Sequence, residues 1–214
     1  MWTAAEPRPG ARCGAGAWLR LLPVAWLALW LAACATPRAP RTLLPPDAQQ
    51  ALLRDLAQFT LAGKVSVTAG QKREIARLDW TQHDEAARIR LSGPFGAGAL
   101  TVDYSPQLLR ISSGGETHEG ADAEALLSQE IGGVPPFEVL RFWILGLEAP
   151  GEAPAQRSQT ADGRLEQLTQ RGWHIRYDRW MPVAASGGGV ELPARVNLRR
   201  DDLALTVSIE RWKL

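Results

Sequence analysis

The chain is poor in the residues that do covalent chemistry: 214 residues include two cysteines and three histidines. Both cysteines, Cys13 and Cys34, fall near the start, so residues 35–214 hold no thiol. That excludes a disulfide, a cysteine nucleophile and a thiolate metal site from the body of the protein. His83 falls in a turn, His118 beside another, and His174 on the polar face of a strand. None stands at metal-ligand spacing from a second ligand on its own element. No Gly-x-Ser-x-Gly elbow is present. The adjacent acids Asp84-Glu85 and Asp201-Asp202 sit at hairpin tips, where turns use such residues far more often than acid/base chemistry does. The expectation is a protein that is not an enzyme, with no catalytic residues, no metal and no cofactor.

Charge of one sign is also missing. Residues 1–33 contain three of the 24 basic residues and one of the 23 acidic ones, so the remainder carries a single net negative charge. That argues against nucleic acid as a partner. The apolar run Leu21–Trp30 is shorter than the roughly 20 residues a spanning helix needs. With Arg8, Arg12 and Arg20 before it and small residues after it, it has the layout of a secretory signal. Leu31-Ala32-Ala33-Cys34 looks like a bacterial lipobox, in which Cys34 is lipidated and becomes the first mature residue. The chain thus divides into a signal peptide removed at residues 1–33, a lipidated N-terminus and flexible tether over 34–46, and one domain over 47–214. Such a domain is long enough for a sizeable core. Five of the nine tryptophans fall within it (Trp80, Trp143, Trp173, Trp180 and Trp212), which points to large apolar contacts.

Along the domain, Asp47 is placed to cap a short amphipathic helix carrying Leu52, Leu53 and Leu56. The apolar period then changes to two. Leu61–Thr68, Ile75–Trp80, Ala87–Ser92, Ala99–Tyr104 and Leu108–Ser112 read as half-buried strands joined by short turns, and a piece around Thr117 as one more. The middle is helical. Asp122 begins a helix over Ala123–Ile131, which Gly132-Gly133 stops, and Pro135-Pro136 suit the first turn of the next. That second helix, Phe137–Leu145, is apolar over most of its circumference, the mark of a helix sandwiched between apolar surfaces. Strands resume at Gln156–Ala161 and Arg164–Gln170 about an Asp162-Gly163 turn, then Trp173–Asp178. A Pro/Ser/Gly-rich loop over 182–189 separates these from Ala194–Arg199 and Leu203–Glu210.

About eleven antiparallel strands, most with one apolar face, make a sheet that curls with that face on its concave side. Two architectures fit equally: an open half-barrel with a helical lid over an apolar interior, or an ordinary packed α+β core. Gly93-Pro94-Phe95-Gly96-Ala97-Gly98 is an unusual hairpin connection. It lacks the following helix and lysine of a phosphate cradle. Phe95 either folds back on the core or projects into a lipid interface.

Several stretches together resemble one family. They are the lipobox, Gly63 and Val65, Leu78-Asp79-Trp80-Thr81-Gln82, Leu91-Ser92-Gly93-Pro94-Phe95-Gly96, and the helix from Val134 to Gly146 ending Trp-Ile-Leu-Gly. Gln170–Tyr177, Leu192-Pro193 and Ile209-Glu210-Arg211-Trp212 follow in the same order. The chain is similar over nearly its whole length to the LolB family of outer-membrane lipoproteins. The resemblance implies a mainly β, α+β fold: an open, incomplete antiparallel β-barrel of about eleven strands with a helical lid over an apolar cavity. It implies a monomer, lipid-anchored through Cys34 on the periplasmic face of the outer membrane, a site that Ala35 after Cys34 fits. Its partners would be a LolA-like periplasmic carrier, the acyl chains of client lipoproteins, and outer-membrane lipids. Pro94, Phe95 and Gly96 match the family's membrane-insertion loop, with Phe95 at a position where the family often has leucine. Candidates for the acyl-chain cavity are Val65, Trp80, Ile89, Leu91, Phe142, Trp143, Ile144, Trp173, Tyr177 and Val207. Each would otherwise be plain core. A lipid carrier or envelope sensor on the same fold, or a lipid-anchored hydrolase, would be the competing readings.

Overall fold

The computed structural model describes residues 42–93, 98–131 and 135–214. The signal segment, Cys34 and the first part of the tether lie outside the described residues, as do Pro94, Phe95, Gly96 and the Gly132-Gly133 helix stop.

A helix, α1 (Pro46–Arg54), leads into six strands: β1 (Gln58–Ala69), β2 (Lys72–His83), β3 (Ala86–Ser92), β4 (Leu100–Ser105), β5 (Leu108–Ser113) and β6 (Glu116–Glu119). Helices α2 (Ala121–Ile131) and α3 (Phe137–Ile144) follow. Five more strands close the chain: β7 (Gln156–Gln159), β8 (Leu165–Gln170), β9 (Trp173–Ala185), β10 (Gly188–Arg200) and β11 (Leu203–Lys213). All eleven form one sheet in the order β6-β5-β4-β3-β2-β1-β11-β10-β9-β8-β7. Every neighbouring pair is antiparallel. β6 and β7 remain as the two free edges, so the sheet is an open barrel. Both edges are four residues long, which limits the unpaired backbone on offer to other chains.

The alternation read in the sequence sets which face is inside. Leu61, Val65, Leu78, Trp80, Ile89, Val102, Ile111, Val196, Leu198, Leu205 and Val207 are buried, and their neighbours along each strand point outward. The central seam joins the first strand to the last, from Thr60 opposite Lys213 to Ala69 opposite Leu203. Its register slips between Ala62 and Gly63, where a β-bulge lets the strand turn the corner of the barrel.

Four local expectations are corrected. Asp47 does not cap α1: Pro45 is the N-cap without a side-chain bond, Pro46 occupies the first turn, and Asp47 adds favourable charge there. Pro136 likewise caps α3 from outside rather than entering its first turn. The segment 182–189 is not a loop, because β9 runs to Ala185 and β10 starts at Gly188. A two-residue connection, Ser186-Gly187, with Gly187 at φ +83°, closes this long hairpin, and its small residues are those a tight turn requires. His83 belongs to β2 rather than to a turn.

The last part of the tether is held by the hairpin. The Leu44 amide donates to the Gly189 carbonyl at 2.8 Å and the Gly189 amide to the Thr42 carbonyl at 2.9 Å, a short parallel bridge. Gln49 reinforces it, donating to the Leu44 carbonyl and accepting from the Glu191 amide.

Candidate functional site

The concave face of the sheet and the two middle helices enclose a cavity of about 140 Å³. Seventeen residues line it and all are apolar. The sheet supplies Val65 and Val67 from β1, Leu78 and Trp80 from β2, Ile89 and Leu91 from β3, Leu100 and Val102 from β4. From the other side of the seam come Val196, Leu198, Leu205 and Val207. The roof is Leu127 of α2, Pro135, and Phe137, Leu140 and Ile144 of α3.

The one hydrogen-bonding side chain among these is neutralised locally. Trp80 Nε1 donates to Gln82 Oε1 at 2.9 Å, and Gln82 Nε2 donates to the Asp84 carbonyl at 2.9 Å, so the buried amide consumes the indole N–H. A space with no free donor, acceptor or charge can hold hydrocarbon and little else. Val67, Leu91, Leu100, Phe137 and Leu140 are half-buried and mark the mouth. Leu91 pairs directly with Leu100 across the β3–β4 hairpin, immediately before and after the connection that contains Phe95.

Helix α3 is apolar over most of its circumference because it serves two surfaces. Phe137, Leu140 and Ile144, at helical spacing, face the cavity. Val139 is buried away from the cavity, and Trp143 turns into the packed end of the barrel beside β8 and β9. There Trp143 is fully buried, 6.5 Å from the Trp173 ring, and its Nε1 donates to Gln170 Oε1 at 2.9 Å. The same oxygen accepts the Ala149 amide at 3.0 Å, while Gln170 Nε2 donates to the Ala149 and Glu152 carbonyls. The Tyr177 hydroxyl donates to the Trp143 carbonyl at 2.9 Å. Arg141 adds a bond from Nη1 to the Asp84 carbonyl and lies over the Phe142 ring.

Six of the ten residues singled out from the sequence therefore meet around the cavity: Val65, Trp80, Ile89, Leu91, Ile144 and Val207. Phe142, Trp143, Trp173 and Tyr177 do not reach it. Trp143, Trp173 and Tyr177 build the solid end of the barrel that fixes α3, and Phe142 lies on the helix flank under Arg141. Large aromatics near a lid look alike in sequence whether they line a void or fill one. The smaller Val67, Leu78, Leu100, Val102, Val196, Leu198 and Leu205 were the residues to add, and their shared face with Val65, Trp80 and Val207 was the available signal. Among the described residues no group of three metal-ligating side chains comes together.

Burial pushes the Tyr177 phenol above the ordinary tyrosine range, with the Glu148 carboxylate adding to the shift. Its folded value lies above its unfolded one, so its contribution is complete below about pH 10 and is lost as pH rises beyond it. Tyr177→Phe is expected to cost about 1 kcal/mol at neutral pH, since the Trp143 carbonyl keeps the Gly146 amide as a partner. It should also flatten the loss of stability above about pH 10. Urea unfolding at pH 7 and pH 11 measures both.

Residues 57–212 match the family model described as outer membrane lipoprotein LolB. The outer-membrane lipoprotein LolB of Chromohalobacter salexigens is 32% identical over 215 residues, covering 100% of this chain and 98% of that protein. That of Halorhodospira halophila is 32% identical, covering 90% and 94%. That of Pseudomonas aeruginosa is 33% identical over 162 residues, covering 75% and 77%. Among solved structures, a LolA superfamily protein from Nitrosomonas europaea superposes with a TM-score of 0.51 at 9% identity, over 81% of this chain and 94% of that one, a likeness of fold alone.

Proposed function

Because the chain belongs to the LolB family of outer-membrane lipoproteins, we propose that it is a lipoprotein receptor anchored through Cys34 on the periplasmic face of the outer membrane. It takes client lipoproteins from a LolA-like carrier, holds their acyl chains against the concave sheet, and releases them into the membrane. The observation that carries this reading is the cavity, whose lining is apolar at all seventeen positions.

Burying acyl chain is worth about 0.8 kcal/mol per CH₂, so a client cannot pass through water at a useful rate. Handover then requires an acceptor that replaces most of the carrier's apolar contact. With that contact matched, transfer is nearly neutral and runs on modest differences in affinity, without nucleotide or catalysis. At about 140 Å³ the cavity is smaller than the roughly 300–1,000 Å³ of ordinary ligand sites, so it has to widen as a chain enters. Helix α3 is pinned by Gln170, Tyr177 and Arg141. Helix α2 places Leu127 over the cavity.

The test mixes residues 34–214 carrying Cys34→Ser with a carrier–lipoprotein complex. These residues include the whole compact unit from Ala39 to Leu214. The lipoprotein should move to the acceptor, and its staying on the carrier would overturn the reading. Release into the membrane is assigned to Pro94-Phe95-Gly96, next in the chain to the cavity mouth. Phe95→Glu in the lipidated protein should leave client binding intact and abolish incorporation into liposomes. Unchanged incorporation would remove that role from the loop.

A further inference from the structure

The outer face of β9 and β10 carries a concentration of positive charge that the cavity does not explain. Arg195, Asn197 and Arg199 alternate outward along β10. Across the pair stand Arg179 opposite Arg195, Arg176 opposite Asn197, and His174 opposite Arg199. The one carboxylate among them is Asp178. It takes Arg176 Nε at 2.9 Å, Asn197 Nδ2 at 2.7 Å and, loosely, Arg195 Nε at 3.8 Å. Arg179 and Arg199 have no acidic partner within 4 Å among the described residues. The flanking outward positions are Ser208, Thr206 and Ala204 on β11 and Gln167 and Thr169 on β8, none of them acidic.

Like charges directly opposite each other weaken a strand pair. A domain with a net charge near zero has no compositional need to place Arg179 against Arg195. Asp178, shared with Arg176 and Asn197, reaches only Arg195 of the two, and that one loosely. A local rule so incompletely compensated marks a surface under functional demand. A shallow depression of about 290 Å³, lined in part by His174, Arg176, Asn197, Arg199 and Thr206, lies within the patch. Guanidinium groups around such a dent suit phosphodiester oxygens, which they bind bidentately.

We propose that this face is a docking surface for the anionic phospholipid headgroups of the membrane in which the protein is anchored. The proposal rests on the anchoring assigned above, and the tether gives the reason for choosing a membrane. The tether meets the domain on β10 itself, at Gly189. Cys34 precedes Thr42 by eight residues, a reach of at most about 29 Å. The patch runs from Arg195 toward Arg199, the sheet end at which β3 also terminates. Strands standing on that end would lift Gly189 by about 26–36 Å above Arg200, depending on their tilt, which takes up nearly the whole tether or exceeds it. A domain lying on the outer face of β9–β10 keeps Gly189, the arginines and that end of the sheet all within reach of the bilayer. Arg38 and Arg41 in the tether add to the same attraction, which acts within about 8–10 Å of the surface.

The test compares residues 34–214 carrying Cys34→Ser with the same chain also carrying Arg176→Gln, Arg179→Gln, Arg195→Gln and Arg199→Gln, and with a version in which the four arginines become lysine. Flotation with phosphatidylglycerol-containing vesicles should show binding that falls at least 10-fold in the glutamine variant. The lysine variant should retain most of it, phosphatidylcholine vesicles should not bind, and raising salt from 50 to 200 mM should release the protein. Matching circular dichroism and melting curves establish that all three are folded. Equal binding by the first two proteins would overturn the proposal. So would unchanged vesicle binding accompanied by loss of capture by an acidic carrier protein, which would make the patch a protein interface. Lipoprotein transfer from carrier to the soluble glutamine variant should be normal, so a failure of the receptor reading and a failure of this one are seen separately.

Discussion

Gln170→Leu is expected to destabilise the domain by about 3–5 kcal/mol, a large share of the roughly 5–15 kcal/mol that holds a domain of this kind together. Leucine fills similar space, so the loss comes from what it leaves behind. Gln170 is 1% exposed and satisfies four groups at once. Its oxygen accepts Trp143 Nε1–H and the Ala149 amide, and its nitrogen serves the carbonyls of Ala149 and Glu152. Trp143 and Ala149 are buried, so their stranded N–H groups cannot turn to water, and each costs about 1–3 kcal/mol. Adding Trp143→Phe should recover part of the loss, because it removes one of the stranded donors. Urea unfolding of the two single variants and the double variant measures the coupling directly. Gln170→Glu is the informative companion, since it keeps the acceptor and removes the two donated bonds.

Gly63→Ala should be comparably severe, about 3 kcal/mol or more, though it adds only a methyl group. A Cβ at Gly63 would lie 2.1 Å from the Ser208 carbonyl oxygen and 3.0 Å from the Ile209 Cα, so it meets backbone that cannot rotate away. The contact falls at the bulge where β1 crosses onto β11, and relief requires parting the strands that join the two halves of the sheet. Ser66→Ala, two positions past Lys64 on the outer face, is the control and should stay within about 0.5 kcal/mol. A drop in the urea midpoint for Gly63→Ala no larger than that control's would show that the seam yields at little cost.

Much of the architecture is legible in the sequence because it rests on period. Alternation from Leu61 to Val67 and from Leu203 to Ile209 placed one face of each strand inside, and those faces are the buried ones. The strand order could not be read this way: nothing local in β1 says that its second partner is the last strand of the chain. The β9–β10 hairpin was also hidden. Pro182, Ser186 and the glycines at 187–189 carry the composition of a loop, yet Pro182 lies exposed on a strand where its missing N–H is tolerated, and only Ser186-Gly187 turn. At the site, the apolar residues could be named but not sorted. Trp143 and Ile144 are adjacent on one helix; one plugs the barrel and the other lines the void, a difference fixed by Gln170, a polar residue that period alone does not single out.

The seam between β1 and β11 also sets the timetable of folding. Residue 60 pairs with residue 213, so the middle of the sheet closes a loop almost as long as the domain. Long-range pairing of this kind is slow, because the entropy of closure is spent before the contacts return it. A chain delivered with its N-terminus first presents β1 to β6 as a complete meander whose apolar face and inner edge stay uncovered until the final strand arrives. The half-barrel that encloses an apolar cavity once complete is thus, during its own assembly, a greasy and unpaired sheet, and the last eleven-residue strand ends that exposure.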